Sequence, residues 1–393
     1  MSSLLFATPA ELTAWLAGLA SGQRVLVPCQ EGPSVVYRPR TAEQLSAAGV
    51  NALLRRSTSS PKQAVLPQCE TLVAFKSVKD EQDPSKVTTT VENPCKAEPT
   101  VLFGCRPCDA RGFVVLDRPY LHGPFKDPYY GARREATTIV TQACPSVFAT
   151  CFCHWVGSHP ADGEGSDILF TAVEGGFVLD ILTEKGKALV EGAAFADGSD
   201  KAEAVAAAHK ATAEALAPAP NLSEAAAKIA ARFTDTAFWT RETVKCLSCG
   251  ACTYLCPTCQ CFTITDEGSQ LNGRRLRSWD SCMTPLFTLE TSGHNPRPDK
   301  SQRMRNRVSH KFSFYPERYD GFFSCVGCGR CVISCPVSLD IRHMVTAAME
   351  GMEGKKPAEA PAAPAEKTAE TPKAPADAPA APKTPAKSKS KKR

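Results

Sequence analysis

Eight of the nineteen cysteines fall into one pattern used twice. Cys246, Cys249, Cys252 and Cys256 precede Pro257, and Cys325, Cys328, Cys331 and Cys335 precede Pro336. Three cysteines spaced by two residues wrap a short loop around one face of an iron-sulfur cubane and aim thiolates at three irons. The fourth lies too far along the chain to close the same cube, so it ligates the cluster of the other motif. The spacing therefore predicts two 4Fe-4S clusters. Cluster A is expected on Cys246, Cys249, Cys252 and Cys335, and cluster B on Cys325, Cys328, Cys331 and Cys256. Zinc is the competing ion. Zinc ribbons hold one tetrahedral ion between well-separated ligand pairs, whereas here each motif packs four cysteines into eleven residues and adds proline. Such clusters take up single electrons with little change of geometry, at a potential set by backbone N–H groups, burial and nearby charge. The small residues Gly250, Ala251, Gly327 and Gly329 let the backbone approach each cube closely.

Seven further cysteines carry weaker patterns. Cys259, Cys261 and Cys282 are close in sequence to ligands but one thiol short of a cubane, so they read either as core cysteines or as ligands of a further metal site. Cys108, Cys144, Cys151 and Cys153 are candidate ligands of a third 4Fe-4S cluster, C. Strands predicted over 101–103 and 139–141 would deliver Cys108 and Cys144 to one end of a sheet. The Cys-x-Cys step brings two more thiols together, and Pro107 and Pro145 stiffen the adjoining turns. Four unrelated thiols, or one tetrahedral zinc, are the alternatives. Cys29, Cys69, Cys95 and Cys105 fit no pattern.

The elements that must position these thiols are legible in part. Thr8-Pro9 opens a helix whose Leu12, Trp15, Leu16 and Leu19 recur at helical spacing, with Gly22 at its end. Runs over 24–29 and 34–38 around Gly32-Pro33 read as a hairpin, and further strands are expected over 72–75, 168–173 and 177–181. From Asp200 the chain turns Ala-rich and helical, breaks at Pro218, and restarts with Asn221 as N-cap and Glu224 three residues on. Between the motifs lies a long insert with Arg274, Arg275 and Arg277. A helix near 299–310 follows, on which Lys300, Arg303, Arg307 and Lys311 form a basic stripe. That stripe reads equally as a solvated face or as cations balancing anionic clusters. Arg330, beside a ligand, either raises the potential of cluster B or pairs with a surface acid. Ser338 is placed to cap a last helix with Ile341, Val345 and Ala348 on one face, covering the clusters.

Nineteen cysteines in 393 residues is an odd count and too sparse for a disulfide scaffold. Metal ligation in a reducing cytoplasm is the expectation. The first twenty residues carry no Lys or Arg and contain Pro9 and Glu11, which argues against a signal peptide, and no apolar run is long enough for a membrane span. The net charge of +5 resides in the tail: residues 355–393 hold ten basic and four acidic residues, leaving 36 basic against 37 acidic elsewhere. That Ala/Pro/Lys composition predicts disorder, and a solvated extension is favoured over a nucleic-acid grip.

The strings between the motifs are more specific than the cysteine spacing. Phe-Gly-Cys-Arg-Pro-Cys-Asp-Ala-Arg (103–111), Asp-Pro-Tyr-Tyr (127–130), Cys-Phe-Cys (151–153), Cys-Pro-Thr-Cys-Gln-Cys-Phe (256–262), Trp-Asp-Ser-Cys (279–282) and Gly-His-Asn-Pro-Arg-Pro (293–298) occur in that order. With Cys-Val-Gly-Cys-Gly-Arg-Cys (325–331), the chain resembles, over about residues 1–350, the family that joins sulfhydrogenase beta subunits with the 4Fe-4S dicluster electron-transfer subunits of anaerobic sulfite reductase. The resemblance implies an iron-sulfur protein placed between a catalytic subunit of hydrogenase, sulfite reductase or heterodisulfide reductase type and a flavin NAD(P)H-binding subunit. The chain has no Gly-x-Gly-x-x-Gly fingerprint, Walker A loop or His-Glu-x-x-His motif, so an electron relay is favoured over a dicluster protein that is itself catalytic. The expected fold is α+β. An α/β docking domain spans 1–195, a helical connector 196–240, a helical dicluster ferredoxin-like domain 241–352, and a disordered tail 353–393.

Overall fold

The computed structural model describes residues 3–269 and 271–351. The Ala/Pro/Lys tail expected to be disordered lies outside them. The chain is mixed α/β, with helices packed on two sheets. In chain order the strands are β1 (Ser3–Ala7), β2 (Arg24–Glu31), β3 (Ser34–Pro39), β4 (Cys69–Lys79), β5 (Val87–Glu92), β6 (Thr100–Cys105), β7 (Thr137–Gln142), β8 (Ile168–Val173), β9 (Gly176–Ile181), β10 (Ala196–Asp197), β11 (Phe262–Gly268) and β12 (Asn272–Trp279).

The first sheet has the order β10-β1-β9-β8-β7-β6-β2-β3. Its centre, β2-β6-β7-β8, is parallel, and the flanking pairs are antiparallel. The physical cause is visible in β6, Thr-Val-Leu-Phe-Gly-Cys, which is buried throughout. A strand covered on both faces needs an unbroken apolar run. Period-two geometry sends Val101 and Phe103 to one face, against Leu12 and Leu16 of the helix Pro9–Leu19. It sends Leu102 to the other, against Phe113 and Leu116 of the helix Pro107–Leu121. The predicted first helix is found with Thr8 and Glu11 in a capping box, which satisfies its first amides. It ends at a cap on Ala20, two residues before the expected Gly22.

The second sheet, β11-β12-β4-β5, is antiparallel throughout and joins distant stretches of chain. Its inner pair sets β12, from the insert between the cysteine motifs, against β4, from the first hundred residues. The stretch of the insert that carries Arg274, Arg275 and Arg277, for which no element is expected from sequence, is thus one strand of a hairpin. Arg277 explains the attachment: it is buried and ion-pairs with Glu70 of β4 at 2.7 Å and with Asp127.

Two caps differ from expectation. The helix after Pro218 begins at Ala225, because the Asn221 side chain instead accepts from Ser223 N–H in a preceding turn. The last helix, Ile341–Met349, is capped by Asp340, while Ser338 has a positive φ of 55° that removes it from the cap position. Ile341, Val345 and Ala348 do share its buried face. Among the described residues no helix is long and apolar enough to cross a membrane.

Candidate metal centres

Both cysteine motifs fold alike. In each, a loop carries three cysteines into a one-turn helix, Ala251–Tyr254 in the first and Arg330–Ile333 in the second, and both helices start from a glycine in the left-handed region. The two turns lie against each other. Cys246, Cys249, Cys252 and Cys335 line one cavity, which Met283, Met304, Ile341 and Met344 close with apolar side chains. The fourth cysteine of the second motif therefore stands with the first three of the first. Conversely, the charge of Cys256 acts on Cys325, Cys328 and Cys331. Cys331 borders both groups, since it also lines the first cavity.

Cys108, Cys144, Cys151 and Cys153 line a separate cavity of about 230 Å³ with Arg56 and Arg106. The parallel pairing of β6 with β7 brings their carboxyl ends together. There Cys108 sits in the first turn of the helix Pro107–Leu121, and Cys144 follows β7 by two residues. A helix N-terminus favours negative charge, as a thiolate or an anionic cluster requires. The loop with Cys151 and Cys153 faces the second motif: Phe152 N–H donates to the Gly327 carbonyl at 2.9 Å. Cys328 lines the same cavity.

Burial pushes these thiols up, to about 11 at Cys144 and about 12 at Cys153, Cys325 and Cys331. A thiol so placed stays protonated at neutral pH unless a cation compensates its charge. The site supplies anion-seeking groups as well. Arg303, Arg307 and Lys311, three of the four residues of the basic stripe, are buried, so the solvated-face reading is wrong for them. Burial opposes the charge on Arg307, but Cys252, Cys331, Cys259 and Cys256 outweigh it. Among the described residues its side chain bonds only the Met304 sulfur, and its Nε has no partner. Lys311, in a π turn over His310–Phe314 that continues the helix Lys300–Ser309, donates to Cys256 Sγ at 3.4 Å and Thr258 Oγ1 at 2.8 Å. Two buried cations without carboxylates need an anion, and a thiolate-ligated cubane is net anionic. The residues present fit 4Fe-4S clusters.

Arg330 does pair with an acid, but in the interior: it bonds Asp109 at 2.5 and 2.9 Å, with both side chains almost fully buried. Lys62 was missed by sequence reasoning. It is buried beside Cys259, Cys256 and Cys261, donates to the Cys259 carbonyl at 2.7 Å, and lies over the Trp279 ring. Nothing in its neighbourhood of Ser, Pro and Gln announces such a place. Cys256 and Cys259 shift one another's thiols, Cys256 downward and Cys259 upward, and Cys261 and Cys282 do the same, Cys261 downward and Cys282 upward. Among the unpatterned cysteines, Cys105 is buried in β6 with its sulfur 3.4 Å from Thr141 Oγ1, and Cys29 accepts from Arg40 Nε at 3.1 Å.

Comparison with known proteins agrees with this geometry. A family model described as a 4Fe-4S dicluster domain matches residues 245–339. Sulfhydrogenase 2 subunit beta of Pyrococcus furiosus is 35% identical over 267 residues, covering 64% of this chain and 75% of that protein. The chain belongs to the sulfhydrogenase beta subunit family. It is an iron-sulfur subunit of an oxidoreductase, it carries 4Fe-4S clusters in a dicluster domain, and it transports electrons. No solved structure matches it.

Proposed function

We propose that the chain relays single electrons between a catalytic subunit of hydrogenase, sulfite reductase or heterodisulfide reductase type and a flavin subunit that binds NAD(P)H. Cys246, Cys249, Cys252 and Cys335 hold cluster A. Cys325, Cys328, Cys331 and Cys256 hold cluster B, and Cys108, Cys144, Cys151 and Cys153 hold cluster C. The observation that carries this reading is the order of the three thiol sets. Cys331 borders the first and second, and Cys328 borders the second and third. The spread of thiols around cavities also favours cubanes over zinc, because among the described residues no three His, Cys, Asp or Glu side chains stand close enough to hold a single ion.

When bound, the clusters supply one-electron redox chemistry. The residues of this chain do the rest. Cys249 and Leu247 expose one end of the row, and Phe148, beside cluster C, exposes the other. A relay with two exposed ends and a buried middle suits two partners, and the relative, named a beta subunit, supports a multi-subunit setting. Arg307 and Lys311 place positive charge against cluster ligands and hold the potential up. Met283, Met304 and Met344 exclude water from cluster A. The divisions 1–195, 196–240 and 241–352 serve as docking domain, connector and dicluster domain in this scheme.

Iron and sulfide analysis of the full chain purified without oxygen tests the reading. The expected result is about twelve irons per chain, with about four lost in Cys153→Ser. Eight irons, unchanged by Cys153→Ser, would remove cluster C. Reduction of the clusters by NAD(P)H only when a flavin subunit is added supports the relay, and turnover of substrate by the chain alone would replace it with catalysis.

A further inference from the structure

β5 is the outermost strand of the second sheet, and the chain around it is close to a palindrome. Among the described residues it pairs only with β4, and all six of its residues are exposed, Val87 to 48% and Val91 to 65%. The register shows which backbone groups face the open side. Ser77, opposite Thr89, donates its N–H to the Leu271 carbonyl on the β12 side at 2.6 Å, whereas Asp80 N–H donates to the Lys86 carbonyl at 2.9 Å. Lys86, Thr88, Thr90 and Glu92 therefore turn their backbone groups toward β4, and Val87, Thr89 and Val91 turn theirs outward. Natural edges are normally blunted by charge, proline or a bulge. The other long edges follow that rule, β3 with Arg38 and Pro39 and β11 with Asp266 and Glu267. β5 has neither charge nor proline before its last residue, Glu92, and its pairing with β4 shows no register shift.

We infer that β5 is the contact between two copies of this chain, which join their second sheets edge to edge about a two-fold axis through Thr89. The sequence there is Pro84-Ser85-Lys86-Val87-Thr88-Thr89-Thr90-Val91-Glu92-Asn93-Pro94. An antiparallel copy centred on Thr89 sets Val87 against Val91, Thr88 against Thr90, and Lys86 against Glu92 of the other copy. The outward groups of Val87, Thr89 and Val91 then meet in about six hydrogen bonds, and the prolines end the ladder equally on both sides. A centre at Thr88 or Thr90 would set Glu92 or Lys86 against a proline and leave the charges unmatched. Lys86 meanwhile pairs with Asp83 at 3.4 Å on the open surface, where such a contact contributes little. Thr89 and Ser77 hydroxyls lie 2.9 Å apart, which puts Val87 and Val91 on the face of Phe75, whose ring lies over Gly273. Val87 of the second copy extends that apolar row. Because each copy offers the same edge, the pairing closes at two. A contact of this size stands at the weak end of protein interfaces, so the dimer dissociates on dilution. β5 carries none of the proposed cluster ligands, so the contact is independent of the ligation.

Sedimentation of the full chain, purified without oxygen, tests the contact. A reversible shift from one copy to two with rising concentration is expected. Thr89→Pro removes an N–H that β4 does not use, and it should leave a monomer at the same concentrations with iron content unchanged. Lys86→Glu should raise the dissociation constant about tenfold, as should Glu92→Lys, because each turns two attractive pairs into repulsive ones. Combining the two reversals should restore the dimer, a rescue that only the centre at Thr89 predicts. Where Thr89→Pro loses iron, the charge series alone decides. A chain that stays monomeric throughout, a dimer untouched by an iron-replete Thr89→Pro, or no recovery in the combined variant would overturn the inference. So would a mass that keeps growing beyond two copies.

Discussion

The two cysteine motifs share spacing, loop shape and helix start, yet they live in different surroundings. In the first, Leu247 and Cys249 face solvent, and in the second the equivalent Val326 and Cys328 are buried. Ser248 and Gly327 occupy the same position with φ of 56° and 63°. A serine bears that conformation in the first motif, where it accepts a hydrogen bond from Arg303 at 3.2 Å. At Gly327 a Cβ would stand 2.4 Å from the backbone of Phe152 and Cys153, and at Gly329 it would stand 2.3 Å from that of Thr150. The spacing thus specifies a cluster-binding loop, while its neighbours decide whether that loop is a terminus or a junction. Ala251 against Arg330 repeats the lesson, since only the second motif reaches across to a buried Asp109.

Exchanging or removing residues at equivalent positions tests this contrast. The largest effect is expected from Cys335→Ala. It should eliminate the cluster held by the first motif although the substitution lies in the second, lowering iron by about a third in an EPR-monitored preparation. Retention of that cluster with loss of the other would reverse the assignment. Next comes Arg330→Leu, which strands a buried carboxylate on Asp109 and should cost about 3–5 kcal/mol in denaturant unfolding. The double variant with Asp109→Leu should recover most of that loss, and equal costs for single and double would show that the charge pair is not the cause.

Gly327→Ser should destabilise by about 3 kcal/mol and loosen the third cavity, because strain at positive φ adds to overpacking. The mirror change, Ser248→Gly, should shift stability by only about 1 kcal/mol, the worth of one hydrogen bond. Similar values for both would erase the distinction between the motifs. The smallest effect belongs to Arg307→Met. Removing this buried charge should lower the potential of the neighbouring clusters by on the order of 30 mV, roughly a threefold change in a one-electron equilibrium, with iron content unchanged. An unmoved potential in a redox titration would mean that Arg307 serves packing alone.

Much of this molecule is written locally. Four cysteines at fixed spacing followed by proline need no distant partner to declare a cubane loop, because the ligand geometry is a property of a few consecutive dihedrals. The parallel strand β6 is legible for a similar reason, since burial on both faces leaves an apolar run, and β7 is legible from its succession of β-branched Thr, Ile and Val. Their adjacency is only a conjecture from sequence, and pairing realises it. The tertiary structure decided what rests on residues far apart. Arg330 finds Asp109 across 221 positions and Arg277 finds Glu70 across 207, and no periodicity encodes such a match. The basic stripe is the instructive case: its spacing is visible in the sequence, but a row of cations reads the same whether it faces water or thiols. Only the packing of the helix Lys300–Ser309 against the cysteine loops turned Arg307 and Lys311 inward, where burial is tolerable because anionic ligands surround them.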